Sequence, residues 1–124
     1  MTGSKQEIAL VTPVATEIQQ EALAFVADGH EAKAVKCLRK ASGLGLSEAQ
    51  AALQLLRSGR ALPIDYPQAL ENLEALDSDL MRELSSSLAE GDNVKAVKVL
   101  RERMDLSLTS GYRLIKQLED REAS

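Results

Sequence analysis

Seven cations gather in two short stretches of this 124-residue chain: Lys33, Lys36, Arg39 and Lys40 in one, Lys95, Lys98 and Arg101 in the other. On helices, residues three and four apart share a face, so each set forms an outward ridge. The chemistry of such a ridge is ion pairing rather than bond making. It either holds an acidic surface of another protein or is simply solvated. The first reading gains from recurrence, because Lys, Lys and Arg keep matching positions in both stretches while other surface positions differ. Two related patches would then grip one acidic partner, or two copies of it.

A second group lies near the C-terminus, where Thr109, Ser110, Tyr112, Arg113 and Lys116 would project from the recognition helix of a helix-turn-helix spanning 106–119. Phosphates and base edges are the partners such a helix reads. Against this, Glu119, Asp120 and Glu122 flank the segment and the whole chain carries a formal charge of −4. That balance repels nucleic acid at long range unless the basic residues are segregated into a patch. A protein partner is therefore the leading expectation and nucleic-acid binding the alternative.

Catalytic constellations do not emerge. His30, the single histidine, follows Gly29 and suits a helix cap. Cys37 sits between Lys36 and Leu38 as a small apolar residue at the edge of a core, with His30 seven residues away as the sole imidazole base for a nucleophile. One cysteine closes no disulfide within the chain and no Cys/His set has metal-ligand spacing, which favours a reducing cytoplasm and no metal. Carboxylates are scattered over helix faces and termini rather than paired in an apolar setting. Gly43-Leu44-Gly45 lacks the preceding strand and the lysine of a phosphate loop. The expectation is a protein that is not an enzyme and carries no cofactor.

The elements that position these residues are written twice. Sliding the sequence by 62 residues aligns 21–56 with 83–118 without a gap, with twelve of thirty-six positions identical. Lys33-Ala34-Val35-Lys36-Cys37-Leu38-Arg39 falls on Lys95-Ala96-Val97-Lys98-Val99-Leu100-Arg101. Hydrophobic residues make up 44% and aromatics 2%, so the core is aliphatic and the class all-α. We expect tandem helix-turn-helix units, about seven short helices in one compact bundle, with a first repeat at about 13–59, a linking helix at about 65–77 and a second repeat at about 79–121.

Within the first repeat, Thr12 is the expected N-cap of a helix that has Pro13 in its first turn and runs to Asp28. Glu31–Ala41 form the next, Gly43 takes a left-handed turn, and Leu44 and Leu46 fold back as core plugs before Ser47 caps the third. In the second repeat, Ser78 or Asp79 caps the first helix, Asn93–Arg103 form the second, and Thr109 opens the last, with Leu106 and Leu108 as the plugs. Asp65 with Gln68 resembles a capping box, and Ala61–Ile64 could be a strand fragment. Residues 1–11 read as a frayed leader whose apolar end, from Ile8, is too short to span a membrane but could dock on the body. Met104, Leu106, Tyr112 and Ile115 would form an apolar end that packs inside the chain or, failing that, is covered by a homodimer or a partner helix.

At Lys33 to Gln50 the sequence resembles the C-terminal domain of the bacterial ribosomal stalk protein. Ala34-Val35-Lys36-Cys37-Leu38-Arg39 is similar to its Val-Ile-Lys-Ala-Val-Arg pattern, and Ser42-Gly43-Leu44-Gly45-Leu46-Ser47-Glu48-Ala49 to its Gly-Leu-Gly-Leu turn between helices. The resemblance covers about residues 31–76 and, more weakly, 93–118. It implies a helical hairpin with a basic face for translational GTPases, on which Lys36 and Arg39 are the matching contacts. Glu31 and Gln50 stand where that family has lysines, and the strands that complete its domain have no counterpart here.

Overall fold

Leucine- and alanine-rich stretches, punctuated by single glycines and by Pro13 and Pro63, give the chain its helices and its stops. The computed structural model describes residues 5–123 and shows eight helices and no strand among them. These are α1 (Lys5–Leu10), α2 (Thr16–Ala27), α3 (Glu31–Ser42), α4 (Leu46–Arg57), α5 (Tyr66–Leu76), α6 (Ser78–Ala89), α7 (Asn93–Arg103) and α8 (Leu108–Ala123). The class is all-α, with one helix more than the seven expected. Starting points of α2, α3 and α4 at 16, 31 and 46 lie 62 residues before those of α6, α7 and α8 at 78, 93 and 108.

Pairwise packing follows the same plan in each half. α2 lies on α3, α3 on α4 and α1 on α4; likewise α6 lies on α7, α7 on α8 and α5 on α8. The two halves meet where α1 touches α5. Here the expectation of a frayed leader is corrected: Ile8, Ala9, Leu10 and Val11 are all buried. Ala9 and Leu10 enter the apolar cluster of the first half, while Ile8 and Val11 enter that of the second. The N-terminal helix is thus a seam, held because a helix this short gains its stability from tertiary burial rather than propensity. Expectations for residues 1–4 lie outside the described residues. α5 is likewise a core element, with Ala69, Leu70 and Leu73 buried.

Several caps fall elsewhere than the sequence suggests. Thr12 caps nothing; its hydroxyl donates to the Ile8 carbonyl at 2.7 Å, closing α1, and α2 begins four residues later. The intervening backbone is occupied instead, with Val14 N–H donating to the Pro63 carbonyl at 2.8 Å. This is as near as 61–64 comes to a strand. Asp77, not Ser78 or Asp79, caps α6 by accepting from Leu80 N–H at 3.0 Å. α4 starts at Leu46 behind Gly45, so Ser47 is already inside it. Ser107 rather than Thr109 opens α8, its hydroxyl accepting from Ser110 N–H at 3.1 Å. The Asp65 carboxylate does accept from Gln68 N–H at 3.0 Å, although the Gln68 side chain returns to Ile64 N–H rather than to Asp65.

Only one leucine of each expected plug pair is internal. Leu44 packs half-buried against both clusters and Leu106 is buried, whereas Leu46 and Leu108 are 52% and 61% exposed. Each exposed leucine is the first residue of its helix, on the outward side of the opening turn.

Candidate functional site

α3 buries Ala34, Val35 and Leu38 against α2 and α4. The helical period then forces Lys33, Lys36, Arg39 and Lys40 outward, and all four are exposed. Among the described residues none of the four takes part in an ion pair. Lys33, Lys36 and Lys40 border a groove of about 680 Å³ between α2 and α3, with Ile18 and Phe25 as its apolar wall. Two cations, Arg39 and Lys40, also lie in the last turn of α3, where the partial negative charge of the helix terminus favours them.

Cys37 opens onto the same groove beside Glu21. Burial pushes its thiol pKa up, and the Glu21 carboxylate adds to the rise through its charge and through a hydrogen bond with the thiol, while Lys40 opposes both. A thiol held protonated in this way is a poor nucleophile. His30 occupies the N-cap position of α3 but makes no side-chain capping bond, unlike Asp92 at the matching place, which accepts from Lys95 N–H at 3.0 Å. No group of three metal-ligating side chains occurs among the described residues.

The second ridge is placed differently. Lys95 reaches Glu90 at 3.7 Å. Arg101 lays its stem over Gly111 of α8, where an added Cβ would stand 3.2 Å from its Cγ, and donates from Nε to the Leu106 carbonyl at 3.2 Å. Lys98 alone of the three is exposed with no such tie. Next to them, Arg103 binds Asp77 at 3.3 Å and Glu83 at 3.1 Å, strapping α7 to α6 across the position that is the open α2–α3 groove in the first half.

For the expected nucleic-acid set, the structure places Thr109, Tyr112 and Arg113 outward and Ser110 half-buried. Lys116 is exposed but held by Glu119 at 3.5 Å and Asp120 at 4.0 Å. α8 also packs against α5, α6 and α7, with Leu114, Ile115 and Leu118 buried. Its outward surface is apolar near its start. Val94, Val97, Leu108 and Tyr112 floor a groove of about 560 Å³ between α7 and α8, rimmed by Lys98, Arg101, Glu102 and Asp105.

Sequence reasoning expected the apolar end at Met104, Leu106, Tyr112 and Ile115 to pack inside the chain, and Met104, Leu106 and Ile115 are buried while Tyr112 is exposed. It missed Val94, whose signal was available: at the matching position stands Ala32, and the residue lies off the buried face of its helix. The equivalent α3–α4 groove is lined by Glu31, Ala32, Val35, Leu46, Gln50, Leu53 and Gln54, a far more polar set.

No helix among the described residues is long and apolar enough to cross a membrane. Comparison with known proteins finds no matching family model, no matching curated protein and no matching solved structure.

Proposed function

We propose that this chain is a non-enzymatic protein-interaction module that receives an acidic protein surface on α3. One observation carries the reading: among the described residues, four exposed cations on a single twelve-residue helix stand free of ion pairs, in a chain whose net charge is −4. Nineteen carboxylates are available in the chain, so cations left unpaired and adjacent keep a local positive potential that steers an acidic partner and fixes its orientation. Lys36 and Arg39, the contacts implied by the stalk-domain resemblance, both belong to this ridge. The α2–α3 groove supplies apolar contact from Ile18 and Phe25 beside the charges.

The test replaces Lys33, Lys36, Arg39 and Lys40 with alanine together. All four are exposed, so stability should stay within about 1 kcal/mol. Proteins captured from the native cell by the parent chain, and cross-linked through Lys33, Lys36 or Lys40 to an acidic segment, should be lost by about tenfold or more with the variant. Undiminished capture, or cross-links confined to other faces, would remove the reading. Titration with duplex and single-stranded DNA separates the alternative, since a phosphate-binding surface built on Arg113 and Lys116 must bind at low salt and weaken steeply as salt rises. No such binding is expected.

A further inference from the structure

We infer that the α7–α8 groove is the contact surface of a two-fold homodimer. This goes beyond the role of α3 and stands or falls independently of it. Val94 is 76% exposed, Leu108 61% and Tyr112 57%, and with the half-buried Val97 they form one continuous apolar floor. Large apolar side chains gathered in one groove, rimmed by charge, mark a surface that is covered in the working protein. Leu108 and Val97 recur in the first hairpin as Leu46 and Val35, but that hairpin does without the other two. At the matching positions of the first half, Val94 and Tyr112 are replaced by Ala32 and Gln50.

Charge selects the occupant. The rim carries two cations, Lys98 and Arg101, and two carboxylates, Glu102 and Asp105. An acidic or a basic partner would meet like charge along half of that rim. A second copy meets opposite charge throughout, provided the two α7 segments run antiparallel about the two-fold axis. In such an isologous contact each pairing occurs twice, once from each subunit. Arg101 and Glu102 adjoin near the end of α7, Lys98 lies one turn before them, and Asp105 lies in the turn beyond Met104, where the helix has ended. An axis passing close to residues 101 and 102 sets Arg101 against Glu102 of the partner subunit and brings Lys98 toward Asp105 of the partner subunit, in the turn that follows α7.

All four groups are available for this. Among the described residues none of them forms an ion pair within its own chain. Arg101 uses only Nε internally, on the Leu106 carbonyl, leaving its terminal nitrogens for a carboxylate. Gly111 matters as well: by admitting the Arg101 stem against α8 it fixes the guanidinium at the groove edge. A dimer formed here carries two α3 ridges, so any acidic partner with two suitable segments would be held with avidity.

Sedimentation velocity of the full chain over a concentration series tests the inference. A reversible monomer–dimer equilibrium is expected. Val94→Ala with Tyr112→Gln, the residues that the first half carries at those positions, should yield a monomer with unchanged helicity by circular dichroism. Lys98→Glu should weaken the dimer by about tenfold, and adding Asp105→Lys should restore it to within about threefold by re-forming the pairs with reversed sign. Lys98 is exposed, so this charge arm stays informative even if the apolar double variant unsettles helix packing. A parent chain that is monomeric at every concentration would overturn the inference and leave the groove to another protein. So would a dimer indifferent to the apolar double variant, or a Lys98→Glu defect that Asp105→Lys does not repair.

Discussion

α3 and α7 share the pattern Lys-Ala-Val-Lys-x-Leu-Arg and bury the same alanine and leucine from it, yet they present different surfaces. Among the described residues no cation of α3 takes part in an ion pair, and the neighbouring groove is open. On α7 Lys95 is paired, Arg101 is bonded to its own turn, and the apolar groove lies on the opposite flank. A handful of residues outside the shared pattern decides this. Arg103 stands where the first half has Ala41 and straps α7 to α6; Gly111 stands where it has Ala49 and makes room for the Arg101 stem. Buried positions set where the helices lie, whereas the residues flanking a motif set what it can touch. Recurrence of a motif is therefore not recurrence of a site.

The sharpest way to break the comparison is to attack the position both halves treat alike. Leu38 and Leu100 are both fully buried, at 0% exposure. Truncating either to alanine should cost about 3 kcal/mol, through lost transfer energy and a residual cavity. Because α1 contributes to both apolar clusters, and Leu44 and Leu76 touch both, each variant should shift the same single transition in denaturant unfolding. Two separate transitions, with Leu38→Ala moving one and Leu100→Ala the other, would show that the halves fold as independent units.

A smaller effect tests a place where the halves differ inside. Gln19 is buried and fully engaged: its amide nitrogen donates to the carbonyls of Val14 at 2.8 Å and Leu62 at 2.9 Å, and its oxygen accepts from Leu62 N–H at 3.1 Å. At the matching position the second half has Met81, buried in an apolar cluster. The reason is topological. The first half is followed by a connector whose backbone passes α2 and must be satisfied, while in the second half α8 stays helical through Ala123, beyond the point at which that connector leaves α4. Gln19→Met should cost about 2 kcal/mol by orphaning those backbone groups, and Met81→Gln a similar amount by burying an amide without partners. Neutral behaviour of either swap in urea unfolding would mean that the connector is not held as described.

Local signals made much of this legible before any coordinates. The apolar spacing and flanking glycines of α3 and α7 place both helices to within a residue or two, and the outward cations of α3 follow from the same spacing. α1 was not legible, because a six-residue helix is stabilised only by what it touches. Cap positions slipped where two or three polar residues adjoin, as at Asp77-Ser78-Asp79, since any of them can accept the same bond. The split between the two ridges was hidden for a different reason. Whether Arg101 is free depends on a glycine ten residues away on the facing helix, and whether the α6–α7 groove is open depends on Arg103 finding Asp77 and Glu83 across the turn.

The least costly difference lies in the turns. Gly43 ends α3 with φ at 76°, a left-handed conformation that swings the chain so that Leu44 N–H meets the Ser42 hydroxyl at 3.2 Å, while that hydroxyl donates to the Leu38 carbonyl at 2.6 Å. α7 ends instead on buried Met104 in extended conformation, at φ −127° and ψ 131°, and no non-glycine residue in the described chain, Asp105 included, has positive φ. Each turn thus suits its own residue. Gly43→Ala should cost about 1 kcal/mol, because a Cβ disfavours the left-handed region although there is open space around it. Asp105→Gly, compared at a concentration where the chain is monomeric, should cost about half as much, through the added freedom of the unfolded chain. Urea titration of both variants checks the order. A larger loss at 105 than at 43 would mean that the second turn, and not the first, is the one constrained by its backbone.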